Sequence, residues 1–71
     1  MGDEMIVYTP LWQTLEKKGI STYVLINKHG VSSSTINRFR HNKGVTMQTI
    51  DDLCVILNCK IEDIAEHIPN K

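Results

Sequence analysis

The feature that most restricts the fold is a break at Gly30-Val31-Ser32. Before it runs a segment that opens at Ser21 and carries Leu25 and Ile26. After it runs a segment with Ile36 and Phe39 on one side. Gly30 ends the first helix and supplies a positive φ. Val31 plugs the corner, and Ser32 caps the next helix with its side chain. So short a turn makes the two helices cross steeply instead of lying antiparallel. Leu25 and Ile26 then face Ile36 and Phe39, and the second helix is held out from the body.

Further punctuation marks three more helical candidates. The first opens at Thr9-Pro10, with Thr9 as N-cap and Pro10 at the first helical position. Leu11, Trp12 and Leu15 form its apolar face, and Gly19 stops it. The candidate after the break, third in chain order, ends near His41, and Asn42-Lys43-Gly44-Val45 forms a loop. The fourth opens at Thr46, and Met47, Ile50, Leu53, Cys54 and Leu57 recur at steps of three and four until Asn58-Cys59. A fifth is expected from about Ile61 to Ile68, with Glu62 and Asp63 in its first turn and Pro69 after it. Ahead of all of them, Met5-Ile6-Val7-Tyr8 is β-branched and aromatic. It reads as a short strand or an ordered arm, and a strand there needs a partner. The expectation is an all-α, compact five-helix fold of one domain over residues 1–71, with an N-terminal arm at 1–8 and the paired helices at 21–41.

Length and composition agree with that expectation. A chain of 71 residues with 4 Gly and 2 Pro suits a few helices with short loops better than a turn-rich β-sandwich. A domain this small buries only about 60 % of its unfolded surface, so a partner subunit would help it. No effector domain is expected, and no small-molecule effector. Met1–Met5 is acidic with no apolar stretch behind it, which does not fit a signal peptide. No apolar run approaches the length of a membrane span. A cytoplasmic location is the expectation.

The net charge is zero, yet the charges are segregated. Residues 28–50 hold Lys28, Arg38, Arg40 and Lys43 with no acid. The acids lie mostly in the last third, where Asp51, Asp52, Glu62, Asp63 and Glu66 face only Lys60 and Lys71. Local fields follow such clusters, not the total. The exposed side of the third candidate reads Ser33, Ser34, Thr35, Asn37, Arg38 and His41. Each can donate to a base edge or a phosphate, and none repels a polyanion. Arg38 can pair bidentately with guanine, and Asn37 with adenine. This is the helix-turn-helix arrangement used against the DNA major groove.

The chain resembles the lambda-repressor-like, Cro-type helix-turn-helix regulators of bacteria and phages, in a short stand-alone branch. The resemblance runs over residues 6–69. It rests on Tyr8-x-x-Leu11-Trp12-x-x-Leu15, Gly30-Val31-Ser32-x-Ser34-Thr35-Ile36 and Val45-Thr46. It continues through Ile50-x-x-Leu53-Cys54-x-x-Leu57-Asn58-Cys59 and Glu62-Asp63-Ile64-x-Glu66-x-Ile68-Pro69. It implies a five-helix DNA-binding fold, transcription regulation, and a homodimer on a pseudo-palindromic operator in double-stranded DNA. It further implies that Thr22 touches a phosphate, and that Ser33, Ser34 and Arg38 face the major groove; Ser32, which starts the same helix, is counted with them among the DNA-binding candidates. Thr35, Asn37 and Arg40 would meet base or backbone, and Asn42 and Lys43 the sugar-phosphate chain; His41, from its place near the groove, is a further candidate for a phosphate contact. The chain departs from the broad family at Ile26, where many members have a small residue. It departs also at Thr22 and Ser33, where glutamines are usual. A protein-interaction module, such as an antitoxin or the partner of a larger regulator, shares the fold and is the alternative.

No enzyme, cofactor or metal site is expected. No nucleophile has a base at a recognisable spacing, and no Gly-rich phosphate loop exists. Cys54 and Cys59, spaced C-x4-C, match no common zinc pattern. One disulfide is open to them, but two reduced thiols are expected, Cys54 as a small core residue and Cys59 filling a gap at a helix end. Glu62 and Glu66 repel mildly at i, i+4 and are read as a solvated acidic face.

Overall fold

The computed structural model describes residues 5–69. The first four residues of the expected arm lie outside it. In chain order the elements are strand β1 (Met5–Val7), helices α1 (Thr9–Lys18), α2 (Thr22–Asn27), α3 (Ser33–Arg40) and α4 (Met47–Leu57), a 3₁₀ turn (Ile61–Asp63) and strand β2 (Glu66–Ile68).

The helix boundaries follow local chemistry. Ser21 Oγ accepts the Val24 N–H at 3.2 Å, Ser32 Oγ the Thr35 N–H at 3.1 Å, and Thr46 Oγ1 the Thr49 N–H at 3.2 Å. Each bond satisfies a donor that the first helical turn leaves without a partner. Gly19 ends α1 at φ 68°, and its N–H reaches the Leu15 and Glu16 carbonyls. Two boundaries differ from expectation. Thr9 lies inside α1, and Tyr8 flanks it without a side-chain cap. Helix α2 stops at Asn27 instead of Gly30, so residues 28–32 separate α2 from α3. Gly30 does take a positive φ of 75° within that turn. The Val31 N–H donates back to the Leu25 carbonyl at 3.0 Å, and its half-buried side chain packs on the core, as a corner plug should.

The core joins every helix. Leu11 and Leu15 of α1, Leu25 of α2, Ile36 and Phe39 of α3, and Ile50, Leu53 and Leu57 of α4 meet Tyr8 and Ile64. The Tyr8 ring stands edge-on to Phe39, with centroids 4.7 Å apart and planes at 82°, a favoured aromatic geometry. Ile26 packs at the margin, half-buried. Trp12, expected in the core, is also only half-buried. Met47, expected on the apolar stripe of α4, is 67 % exposed because it belongs to the first turn, beyond the packed layer.

The fifth helix does not form. Its first turn is 3₁₀, closed by the Asp63 carboxylate accepting the Lys60 N–H at 3.1 Å. The chain then extends, and β2 pairs antiparallel with β1 in the register Met5–Ile68, Ile6–His67 and Val7–Glu66. Two physical reasons favour this. Residues before a proline are pushed from helical to extended backbone, and Ile68 precedes Pro69. A helix through residue 68 would also leave β1 with no strand to satisfy its backbone groups. The architecture is four α-helices closed by a two-stranded antiparallel sheet.

Candidate nucleic-acid interface

Helix α3 buries Ile36 and Phe39 and turns its other sides to solvent. Ser33, Ser34, Asn37, Arg38, Arg40 and His41 are exposed. Ser33, Ser34 and Asn37 make no side-chain hydrogen bond with another described residue. Ser32 and Thr35 are partly committed to the cap: their hydroxyl oxygens lie 2.9 Å apart, and Ser32 Oγ also holds the Thr35 N–H. Their role in the structure is to set where α3 begins.

Two of the cations are held loosely. Arg38 Nη1 reaches the Gly44 carbonyl at 3.4 Å, and Arg40 Nη2 reaches Thr22 Oγ1 at 3.5 Å. The Arg40 guanidinium also stands 6.0 Å from the centre of the Trp12 ring, at the outer limit of a cation–π contact. These long contacts are weak beside an Arg–phosphate bond of about 2.8 Å, so an anion can draw both side chains away. Trp12 thus serves as a half-exposed seat for Arg40. Thr22 lies at the first residue of α2, beside the C-terminal end of α3.

The loop after α3 is built more firmly. Asn42 takes a left-handed φ of 54°. Its Oδ1 accepts the Tyr8 N–H at 3.2 Å, and the Tyr8 hydroxyl donates to the Lys43 carbonyl at 2.9 Å. The Lys43 N–H donates to the Arg38 carbonyl at 2.9 Å. Burial raises the Tyr8 pKa above its ordinary value, which keeps the hydroxyl a donor. Asn42 is therefore engaged in the frame that fixes the loop, while the Lys43 side chain stays in solvent. Tyr8, Trp12 and Gly44 support this surface and were not read as doing so. Tyr8 had a signal, a buried-type aromatic directly before a helix start, but nothing local shows that it reaches 35 residues ahead.

Among the described residues, no acid forms an ion pair with Arg38, Arg40 or Lys43. Asp52 of α4 shares a cleft with Ser32 and Thr35 at the other end of the helix, and its Oδ1 accepts from Gln48 Nε2 at 3.0 Å. Glu62 and Glu66 line a different cleft, against α1. The surface combines an exposed helix of short polar side chains, cations at one end, and a braced loop carrying Lys43. Chemically it can donate hydrogen bonds to base edges and neutralise phosphates. Among the described residues, no group of His, Cys, Asp or Glu could hold a metal ion, and no helix is long and apolar enough to cross a membrane.

The Cro/C1-type helix-turn-helix DNA-binding domain matches residues 10–70 of the chain. Among solved structures, the crystal structure of the transcriptional regulator VanUg, form II, is similar, with a TM-score of 0.86 and 30 % sequence identity. That likeness covers 99 % of this chain and 92 % of VanUg. No curated protein sequence matches the chain.

Proposed function

The chain belongs to the Cro/C1-type helix-turn-helix DNA-binding family, and on that footing we propose that it is a sequence-specific transcriptional regulator that lays α3 in the major groove. One observation carries this reading: α3 is anchored by Ile36 and Phe39 while its polar, acid-free sides stay exposed beside the Lys43 loop. In this reading Ser33, Ser34, Asn37 and Arg38 face base edges. Thr22, Arg40, His41 and Lys43 meet phosphates, and Ser32, Thr35 and Asn42 place the two ends of the helix. The whole chain acts as one DNA-binding domain, in the cytoplasm, where the operator is.

The reading includes a homodimer, because one α3 reads one half-site and a second would sit about 34 Å away on the same face of DNA. An apolar groove of about 430 Å³ supports it. Ile6, Met47 and Ile61 rim this groove at 45 %, 67 % and 48 % exposure. Asn42 and Gly44 form part of its wall, so a second copy seated there would press on the loop that carries Lys43.

The test is selection of bound sequences from a random DNA pool, followed by gel shifts with Arg38→Ala. The variant is expected to lose about 1–3 kcal/mol and its preference at one base pair. Unchanged affinity and preference would take α3 out of the groove. Absence of any selected sequence, with a tightly bound protein co-purifying instead, would favour the interaction-module alternative. For the dimer, Met47→Glu should abolish self-association in sedimentation while leaving binding to an isolated half-site intact.

A further inference from the structure

Helix α4 ends on Asn58, whose backbone is left-handed at φ 51° and ψ 57°. The Asn58 N–H donates to the Val55 carbonyl at 3.3 Å, and the Cys59 N–H to the Cys54 carbonyl at 3.1 Å. This pair of bonds is the Schellman motif, whose outer two residues ordinarily bring apolar side chains into contact. Here both outer residues are cysteines. Covalent geometry around the 3.1 Å bond caps the separation of their Cα atoms at about 7 Å, the outer limit for a disulfide. Both thiols are free, partly exposed, and packed at the edge of the core.

We propose that Cys54 and Cys59 form a dithiol site that reacts with a low-molecular-weight disulfide and closes into an internal disulfide across the α4 cap. The Cys54 thiolate attacks one sulfur of the small disulfide RSSR. That S–S bond breaks, a mixed disulfide forms on Cys54, and one RSH leaves. Cys59 then gives up its proton and attacks the Cys54 sulfur, and the second RSH leaves. Two protein thiols lose two electrons and two protons, and one RSSR becomes two RSH. Cys59 takes the second step because burial, and after it the neighbouring Cys54 and Asp63, raise its pKa, with Lys18 opposing. A thiol that keeps its proton is a slow first nucleophile. The site lies on the α4 cap, separate from the exposed side of α3, and it does not depend on the DNA-binding reading.

Folding and closure are linked. The cap juxtaposes the thiols in the folded chain, so closure is favoured there over the unfolded chain by the same factor by which the bond stabilises the fold. The experiment equilibrates the native chain with mixtures of reduced and oxidised glutathione, with and without urea, and reads the products by mass. The folded chain should lose two hydrogens at an oxidised-to-reduced ratio lower by about tenfold or more than the urea-unfolded chain. Cys59→Ser should stop at the singly glutathionylated form. Equal ratios in the two states, or folded chain that accumulates glutathione adducts without closing, would overturn the proposal. The measurement uses the native chain, so it stands even where a cysteine variant fails to fold.

Discussion

Asn42 offers the sharpest test of how the loop after α3 is held. It does two separable things: it occupies a left-handed backbone position at φ 54°, and its Oδ1 accepts the N–H of buried Tyr8 at 3.2 Å. Asn42→Gly keeps the first and removes the second. Leaving the Tyr8 donor without its partner should cost about 1–2 kcal/mol. Asn42→Ala loses the same bond and also forces a Cβ into the left-handed region, a penalty of about 1–2 kcal/mol. Part of that penalty is offset because glycine makes the unfolded chain more flexible. The expected order is Asn42, then Gly, then Ala, with Ala about 2–3 kcal/mol below the native chain. Urea unfolding followed by circular dichroism should show the midpoints falling in that order with the slope unchanged. In a domain of this size each 1 kcal/mol lowers Tm by about 4–8 °C. Asn42→Asp keeps the acceptor and tolerates the backbone, so it should fold almost as well while weakening DNA binding through its new charge. Gly and Ala variants of equal stability, or both as stable as the native chain, would refute this account of the loop.

Other outcomes follow from the same geometry. Lys43→Ala should weaken binding to all sequences alike and make the slope of log K against log salt shallower by about 0.9, as read from binding titrations across salt. Thr14→Val removes the 2.7 Å bond from Thr14 Oγ1 to the Asp63 carbonyl, and should cost about 1 kcal/mol in urea unfolding with little change in shape. Stability should decline at alkaline pH. The Cys59 and Tyr8 pKa values are raised above their ordinary 9.0 and 10.0, so the folded state holds these protons longer. Their contribution is complete below pH 9 and fades as pH rises through the folded values. A flat unfolding midpoint from pH 8 to 11 would contradict this.

Much of the fold was legible because capping chemistry is local. Ser21, Ser32 and Thr46 each precede a helix and each makes the expected bond. Gly19, Gly30 and Asn58 take the left-handed backbone that their positions suggest. The failures arose where local spacing fits two structures. Ile61, Ile64, Ala65 and Ile68 match a helical stripe, but eight residues are too few for that stripe to compete with a distant partner. The unpaired strand at Met5–Val7 and the unsupported fifth helix were each other's answer, and the backbone pairing that joins them spans nearly the whole chain. The exposed surface of α3 was readable from side-chain type. That Asn42 holds Tyr8, and that Arg40 rests on Trp12, was not, because those contacts exist only once the core has brought distant segments together.

The pairing of Met5 with Ile68 has a mechanical consequence. Its closure spans about 60 residues of intervening chain, an entropic cost that grows slowly with loop length, yet only three residues on each side repay it. The sheet should therefore be the last part to assemble and the first to open, and losing either strand releases the other. Because Ile6 rims the groove that the proposed second copy would cover, such a dimer would tie the order of both strands to protein concentration: subunits that separate should also fray.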